Sequence, residues 1–237
     1  MSDLQAVMCE HDGTRLKGYA AMPHGEGPFP AVLVMHSALG IHHMVQDVAQ
    51  QLSELGYVAV ATDMYGEDAD ISEREKAGEH YMAMLATPER LRARTARWFD
   101  TVAGLPSVDP ARIAAIGYCF GGKCVMELAR SGRAVKAAVS YHGLLTTHAP
   151  ARKGDIGGRV VAWCGARDPF GPPAETLAFR EEMVAAEADW QITEFGTVAH
   201  GFTDPEAEGG MPGIEYDFIA DKTSWGATLL LLRHIFG

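Results

Sequence analysis

The chain has 237 residues, a length that one α/β domain uses fully, and its hydrophobic fraction of 47% with 22% charged residues excludes a disordered chain. No apolar run approaches the ~20 residues that span a bilayer, which excludes a membrane-spanning helix. The formal net charge of −11 opposes nucleic acid and anionic lipid surfaces, so a small molecule is the expected partner.

Met1-Ser2-Asp3 begins neither a basic stretch nor an apolar core, which predicts no secretory signal and a cytoplasmic protein. Alternation over residues 5–9, a turn at His11-Asp12-Gly13 and a second run over 15–22 predict an antiparallel hairpin at the start of a sheet. Residues 30–36 form a continuous apolar run, as in a strand covered on both faces, and 44–55 follow with helical spacing up to Gly56. The same alternation continues: strand 57–62, helices near 73–85 and 88–104, strand 112–117, helix 121–130, and strands 135–140 and 159–164. Helix 174–188, strand 191–195 and a closing helix at 222–235 complete it. Repeated βα order predicts one α/β domain over 1–237, a mostly parallel sheet flanked by helices with an N-terminal antiparallel hairpin. Gly- and Pro-rich residues 24–30, 147–158 and 204–213 read as loops, the last long enough to border a pocket.

Of the four cysteines, three read as packing: Cys9, Cys124 and Cys164 lie in or beside apolar elements, with no CxxC pair or zinc spacing, and no disulfide is expected. Cys119 differs. In Gly117-Tyr118-Cys119-Phe120-Gly121-Gly122 an apolar strand runs into the cysteine and a helix starts directly after it. That pattern is a nucleophile elbow, whose glycines leave room for a crowded backbone, while the helix amino terminus favours the thiolate. A cysteine nucleophile needs a base and a group that orients the base. Asp168, in the turn after strand 159–164, and His200, after strand 191–195, fall at the same sheet edge in the order Cys, Asp, His. The loop His36-Ser37-Ala38-Leu39-Gly40 would bring the Ala38 amide beside that of Phe120 as an oxyanion hole.

These segments resemble the dienelactone hydrolase (carboxymethylenebutenolidase) family of the α/β-hydrolases, and the resemblance covers nearly the whole chain. It implies an α/β-hydrolase fold, a Cys119–His200–Asp168 triad, no cofactor and no metal. The namesake enzymes carry a glutamate in the oxyanion loop and an arginine shortly after the histidine; here Ser37 and Asp204 occupy those places. A pocket with Asp204 at its mouth suits uncharged substrates, so neutral activated esters or lactones are expected in place of an anionic dienelactone. Ser37, His36, Tyr118, Tyr65, His142, Phe202 and Asp204 are the expected pocket residues, with Phe120, Tyr141, Phe170 and Trp225 as further apolar candidates. A neutral phosphotriester fits the same oxyanion hole as a secondary substrate.

Three other readings compete. His36, His42, His43 and His142 suggest a metal hydrolase, without any His-Glu-x-x-His spacing. Cys119 and Cys124 suggest thiol redox, without CxxC. A catalytically silent small-molecule binder is a third, and either a monomer or a homodimer fits the composition.

Overall fold

The computed structural model describes residues 4–207 and 211–237. The reading of Met1-Ser2-Asp3, and residues 208–210 within the predicted 204–213 loop, lie outside the described residues.

One eight-stranded sheet runs in the order β1-β2-β4-β3-β5-β6-β7-β8. Strands β1 (Gln5–His11) and β2 (Thr14–Ala21) form the expected antiparallel hairpin, and β2 joins β4 (Val58–Thr62) antiparallel. From β4 onward every pairing is parallel, through β3 (Phe29–Met35), β5 (Val108–Tyr118), β6 (Ala137–Tyr141), β7 (Arg159–Gly165) and β8 (Trp190–Phe195). Parallel strands covered on both faces explain the unbroken apolar runs: Ala31 to Met35 are all fully buried.

Alternate residues of those runs feed two cores. Ala31, Leu33 and Met35 pack with side chains of α2 (Arg74–Leu85), α3 (Pro88–Ala103), α4 (Phe120–Ala129) and α5 (Pro173–Ala185). Val32 and Val34 pack on the opposite face with α1 (His43–Glu54) and α6 (Phe218–Phe236). Under the first layer, Arg130 is buried in bonds to Glu127 and Glu182, which ties α4 to α5.

Two starts depart most from the sequence reading. Strand β5 starts at Val108, because Asp109 and Pro110 continue an extended strand that pairs Val108 with Phe29 across a register shift. Helix α6 starts at Phe218, where the Asp217 carboxylate caps it by accepting the Ala220 amide at 2.8 Å. Among the described residues no helix is long and apolar enough to cross a membrane.

Candidate active site

Strand β5 delivers Cys119 to the carboxyl edge of the sheet, and the turn there is sharp enough to place Cys119 at φ 54°, a left-handed conformation that costs a non-glycine residue about 1–3 kcal/mol. The flanking glycines are required by space. A Cβ on Gly117 would lie 2.1 Å from the Gly121 carbonyl oxygen, and one on Gly121 would lie 2.1 Å from that of Met35. Cys119 donates its amide to the Tyr141 carbonyl at 3.0 Å, and α4 begins at the next residue.

The end of β7 and the turn after β8 are packed together by Gly165, where a Cβ would meet the Val198 carbonyl oxygen at 2.4 Å. The Arg167 amide donates to that same carbonyl at 2.9 Å. This contact brings Asp168 to His200: Asp168 Oδ2 lies 2.7 Å from His200 Nδ1, while Asp168 Oδ1 accepts the Phe170 amide at 2.8 Å. His200 is fixed through its backbone, donating to the Gly213 carbonyl and accepting from the Glu215 amide, each at 3.0 Å. Cys119 is the other side chain that acts on the imidazole, and the two line one cavity.

Electrostatics follow from these contacts. Burial pushes the Cys119 thiol up, but the hydrogen bond and charge of His200, with the amides of Ala38 and Phe120, outweigh it and hold the thiol below its ordinary value of 9.0. Burial pulls His200 down, and the Asp168 and Cys119 hydrogen bonds and charges overcome it, lifting the imidazole to about 10. The amides of Ala38 and Phe120, the two expected from the sequence, are thus among the groups that favour the Cys119 thiolate.

The loop that carries Ala38 is braced from below. His36 is fully buried, with Nδ1 2.6 Å from the Ser37 carbonyl oxygen and Nε2 accepting the Met64 amide at 3.1 Å. Those bonds set the proton on Nδ1. Tyr65 donates its hydroxyl to the Ala38 carbonyl at 2.9 Å, and the Ser37 hydroxyl accepts the Leu39 amide at 3.3 Å.

A cavity of about 140 Å³ opens on Cys119, and Ser37, Tyr118, His142 and Asp204 line it as expected. His36, Tyr65 and Phe202 do not. The Asp63 carboxylate accepts the Tyr65 and Gly66 amides and turns the Tyr65 ring under the oxyanion loop, against Phe120. His36 is spent on the loop backbone, and Phe202 is fully buried beneath His142 at a ring separation of 5.1 Å. His142 has φ 40°, meets His200 edge-on at 4.8 Å and bonds Thr203 Oγ1 at 2.9 Å; burial pulls its imidazole well below the ordinary range. Among the described residues no three His, Cys, Asp or Glu converge as metal ligands: His42 bonds the Leu39 carbonyl, and His43 lies 3.5 Å from Glu206.

Sequence reasoning missed Arg74 and Glu206 here. Arg74, the first residue of α2, lines the cavity and gives it a guanidinium that the sequence reading did not place there; a lone arginine in a polar stretch carried no signal. Glu206 joins Asp204 on the wall. Phe170, one of the expected apolar candidates, sits edge-on to His200 with ring centroids 5.0 Å apart and outside the cavity lining.

A parallel sheet with an antiparallel start, helices on both faces and a strained residue between strand and helix define an α/β-hydrolase. The model of the dienelactone hydrolase family matches residues 16–236, and the chain belongs to that family. Among relatives, a putative carboxymethylenebutenolidase of Yersinia pestis is 28% identical over 80% of this chain and 75% of its own length. A dienelactone hydrolase-like promiscuous phosphotriesterase from metagenomic libraries shares 32% identity, 99% coverage of both chains and a TM-score of 0.89. A putative dienelactone hydrolase from Klebsiella pneumoniae, 22% identical over 98% of each chain with a TM-score of 0.81, shares the fold.

Proposed function

We propose that this dienelactone hydrolase-like protein cleaves neutral activated esters or lactones through a covalent acyl-enzyme on Cys119, with His200 and Asp168 as its partners. The observation that carries the reading is the continuous chain Asp168–His200–Cys119, which ends on a sulfur already met by two backbone amides.

The raised imidazole and lowered thiol favour a resting thiolate–imidazolium pair. The thiolate attacks the carbonyl carbon, and the Ala38 and Phe120 amides hold the resulting oxyanion. Collapse expels the alkoxide, which takes the His200 proton. Neutral His200 then draws a proton from water as the water attacks the thioester; thiolate leaves and His200 keeps that proton, which restores the starting pair. Asp168 keeps Nδ1 protonated and the ring in place throughout.

Preference for uncharged reacting groups is supported by Asp204 and Glu206 on the cavity wall, which outnumber Arg74. Comparing neutral aryl esters with carboxylated lactones tests it: faster turnover of neutral esters is expected, and far faster turnover of the carboxylated lactones would sink the substrate assignment. Scattered cysteines without a disulfide partner support a cytoplasmic setting.

The phosphotriesterase relative supports a second substrate class, because a phosphoryl oxygen suits the same pair of amides. Release of an aryl alcohol from a reactive triester above a Cys119→Ser background is expected, and no release above that background removes this class.

A further inference from the structure

Two costs fall on one residue beside the catalytic histidine. His142 follows β6 with φ 40°, a left-handed backbone that strains any residue but glycine. It is only 4% exposed, and its Nδ1 has no hydrogen-bond partner among the described residues. Buried polar atoms are nearly always paired, and strain collects at functional sites, so both costs at one position call for a function.

His142 lines the Cys119 cavity, and among the described residues it is the one lining side chain that leaves a buried polar atom unpaired. Its neighbours in the lining are engaged: the Ser37 hydroxyl accepts the Leu39 amide, and the Asp204 carboxylate accepts the Glu206 amide at 2.9 Å. Nε2 of His142 lies 2.9 Å from Thr203 Oγ1, which fixes the ring, and the ring stands edge-on to His200 with centroids 4.8 Å apart. Burial and the neighbouring His200 charge keep His142 neutral, so one of its ring nitrogens carries a lone pair.

Hydrolysis of the acyl-enzyme needs such an atom. Water attacking the thioester gives one proton to His200 and points a lone pair at the carbonyl carbon, and its second hydrogen is then free to be held by an acceptor.

We propose that His142 Nδ1 holds the hydrolytic water, with the His142 proton on Nε2 and donated to Thr203 Oγ1. The water donates one hydrogen to Nδ1 and the other to neutral His200. As its oxygen bonds to the acyl carbon, His200 takes one proton and the Cys119 thiolate leaves with the electrons of the C–S bond. The second hydrogen stays on the product acid, and His142 ends as it began, neutral. This deepens the hydrolase reading and rests on it.

Three substitutions separate the two nitrogens. Asparagine tolerates a positive φ and puts its amide oxygen close to the place of Nδ1; glutamine reaches the place of Nε2; leucine matches asparagine in shape without a polar atom. Formation of acyl-Cys119 is followed by nitrophenol release from a neutral nitrophenyl ester, and its decay by quenched-flow mass spectrometry. The ratio of decay rate to formation rate is expected to fall about tenfold or more in His142→Gln and His142→Leu, and His142→Asn to keep most of it. Should His142→Leu fail to fold, His142→Gln against His142→Asn decides the same point. An unchanged ratio in His142→Gln overturns the proposal; this is the result expected if Nδ1 instead holds a water in the recess of about 10 Å³ that His142 borders with Asp168. An equal fall in both rates, or His142→Asn falling as far as His142→Gln, overturns it too. Absence of any adduct on Cys119 in the unsubstituted protein removes the hydrolase reading itself, whereas an adduct whose decay ignores His142 removes the water site alone.

Discussion

The Tyr65 hydroxyl donates to the Ala38 carbonyl at 2.9 Å, so a ring from the loop after β4 holds the peptide segment that aims an amide at Cys119. Oxyanion donors act by being fixed before charge develops, and a buried tyrosine is a stiff means of fixing one. Tyr65→Phe keeps the ring and removes only the bond. Its kcat on a neutral ester is expected to fall about tenfold, with KM nearly unchanged and a stability loss of about 1 kcal/mol; a changed KM with intact kcat would argue for substrate contact instead.

Asp168→Asn removes the charge that keeps His200 protonated while preserving shape. Turnover is expected to fall about a thousandfold or more. Alkylation of Cys119 by iodoacetamide at neutral pH should slow in the same variant, because a neutral His200 no longer favours the thiolate. Unchanged alkylation would mean that the thiol does not depend on this pair.

The resting ion pair also predicts a pH profile for stability. Above 9.0 the unfolded chain has released the protons of both groups while the folded His200 retains its own up to about 10, so the contribution falls as the pH rises from 9.0 through about 10. Thermal melts of the native protein minus those of Cys119→Ala/His200→Ala should show a difference that shrinks over that range; a difference that grows there would contradict the pair.

Two glycines with opposite surroundings test the elbow. A Cβ on Gly122 would lie 2.4 Å from Ser140 Oγ and 2.7 Å from the Gly143 backbone, whereas one on Gly78 in α2 would meet nothing within 4 Å. Gly122→Ala is expected to lose about 1–3 kcal/mol of stability, and Gly78→Ala to gain about 0.5–1 kcal/mol. Urea unfolding measures both.

Much of this was legible in the chain because the signals are local. Apolar runs marked the parallel strands, and the spacing of Gly117, Cys119 and Gly121 marked the elbow, since backbone crowding there admits no side chain. Asp168 and His200 were legible as ends of consecutive strands. What was not legible depends on how loops fold back. Tyr65 was expected to face the ligand, and the turn that the Asp63 carboxylate organises sends it inward. Arg74 reaches the cavity only because α2 lies over the sheet edge, and Phe170 meets His200 only because Asp168 takes its amide.

The most direct test of the account is burst kinetics on a chromogenic neutral ester, with mass spectrometry of the trapped protein and Cys119→Ala as the comparison. The account predicts a burst, an acyl adduct on Cys119, and loss of both burst and turnover in the variant; equal turnover by Cys119→Ala with no adduct on the native protein would contradict it.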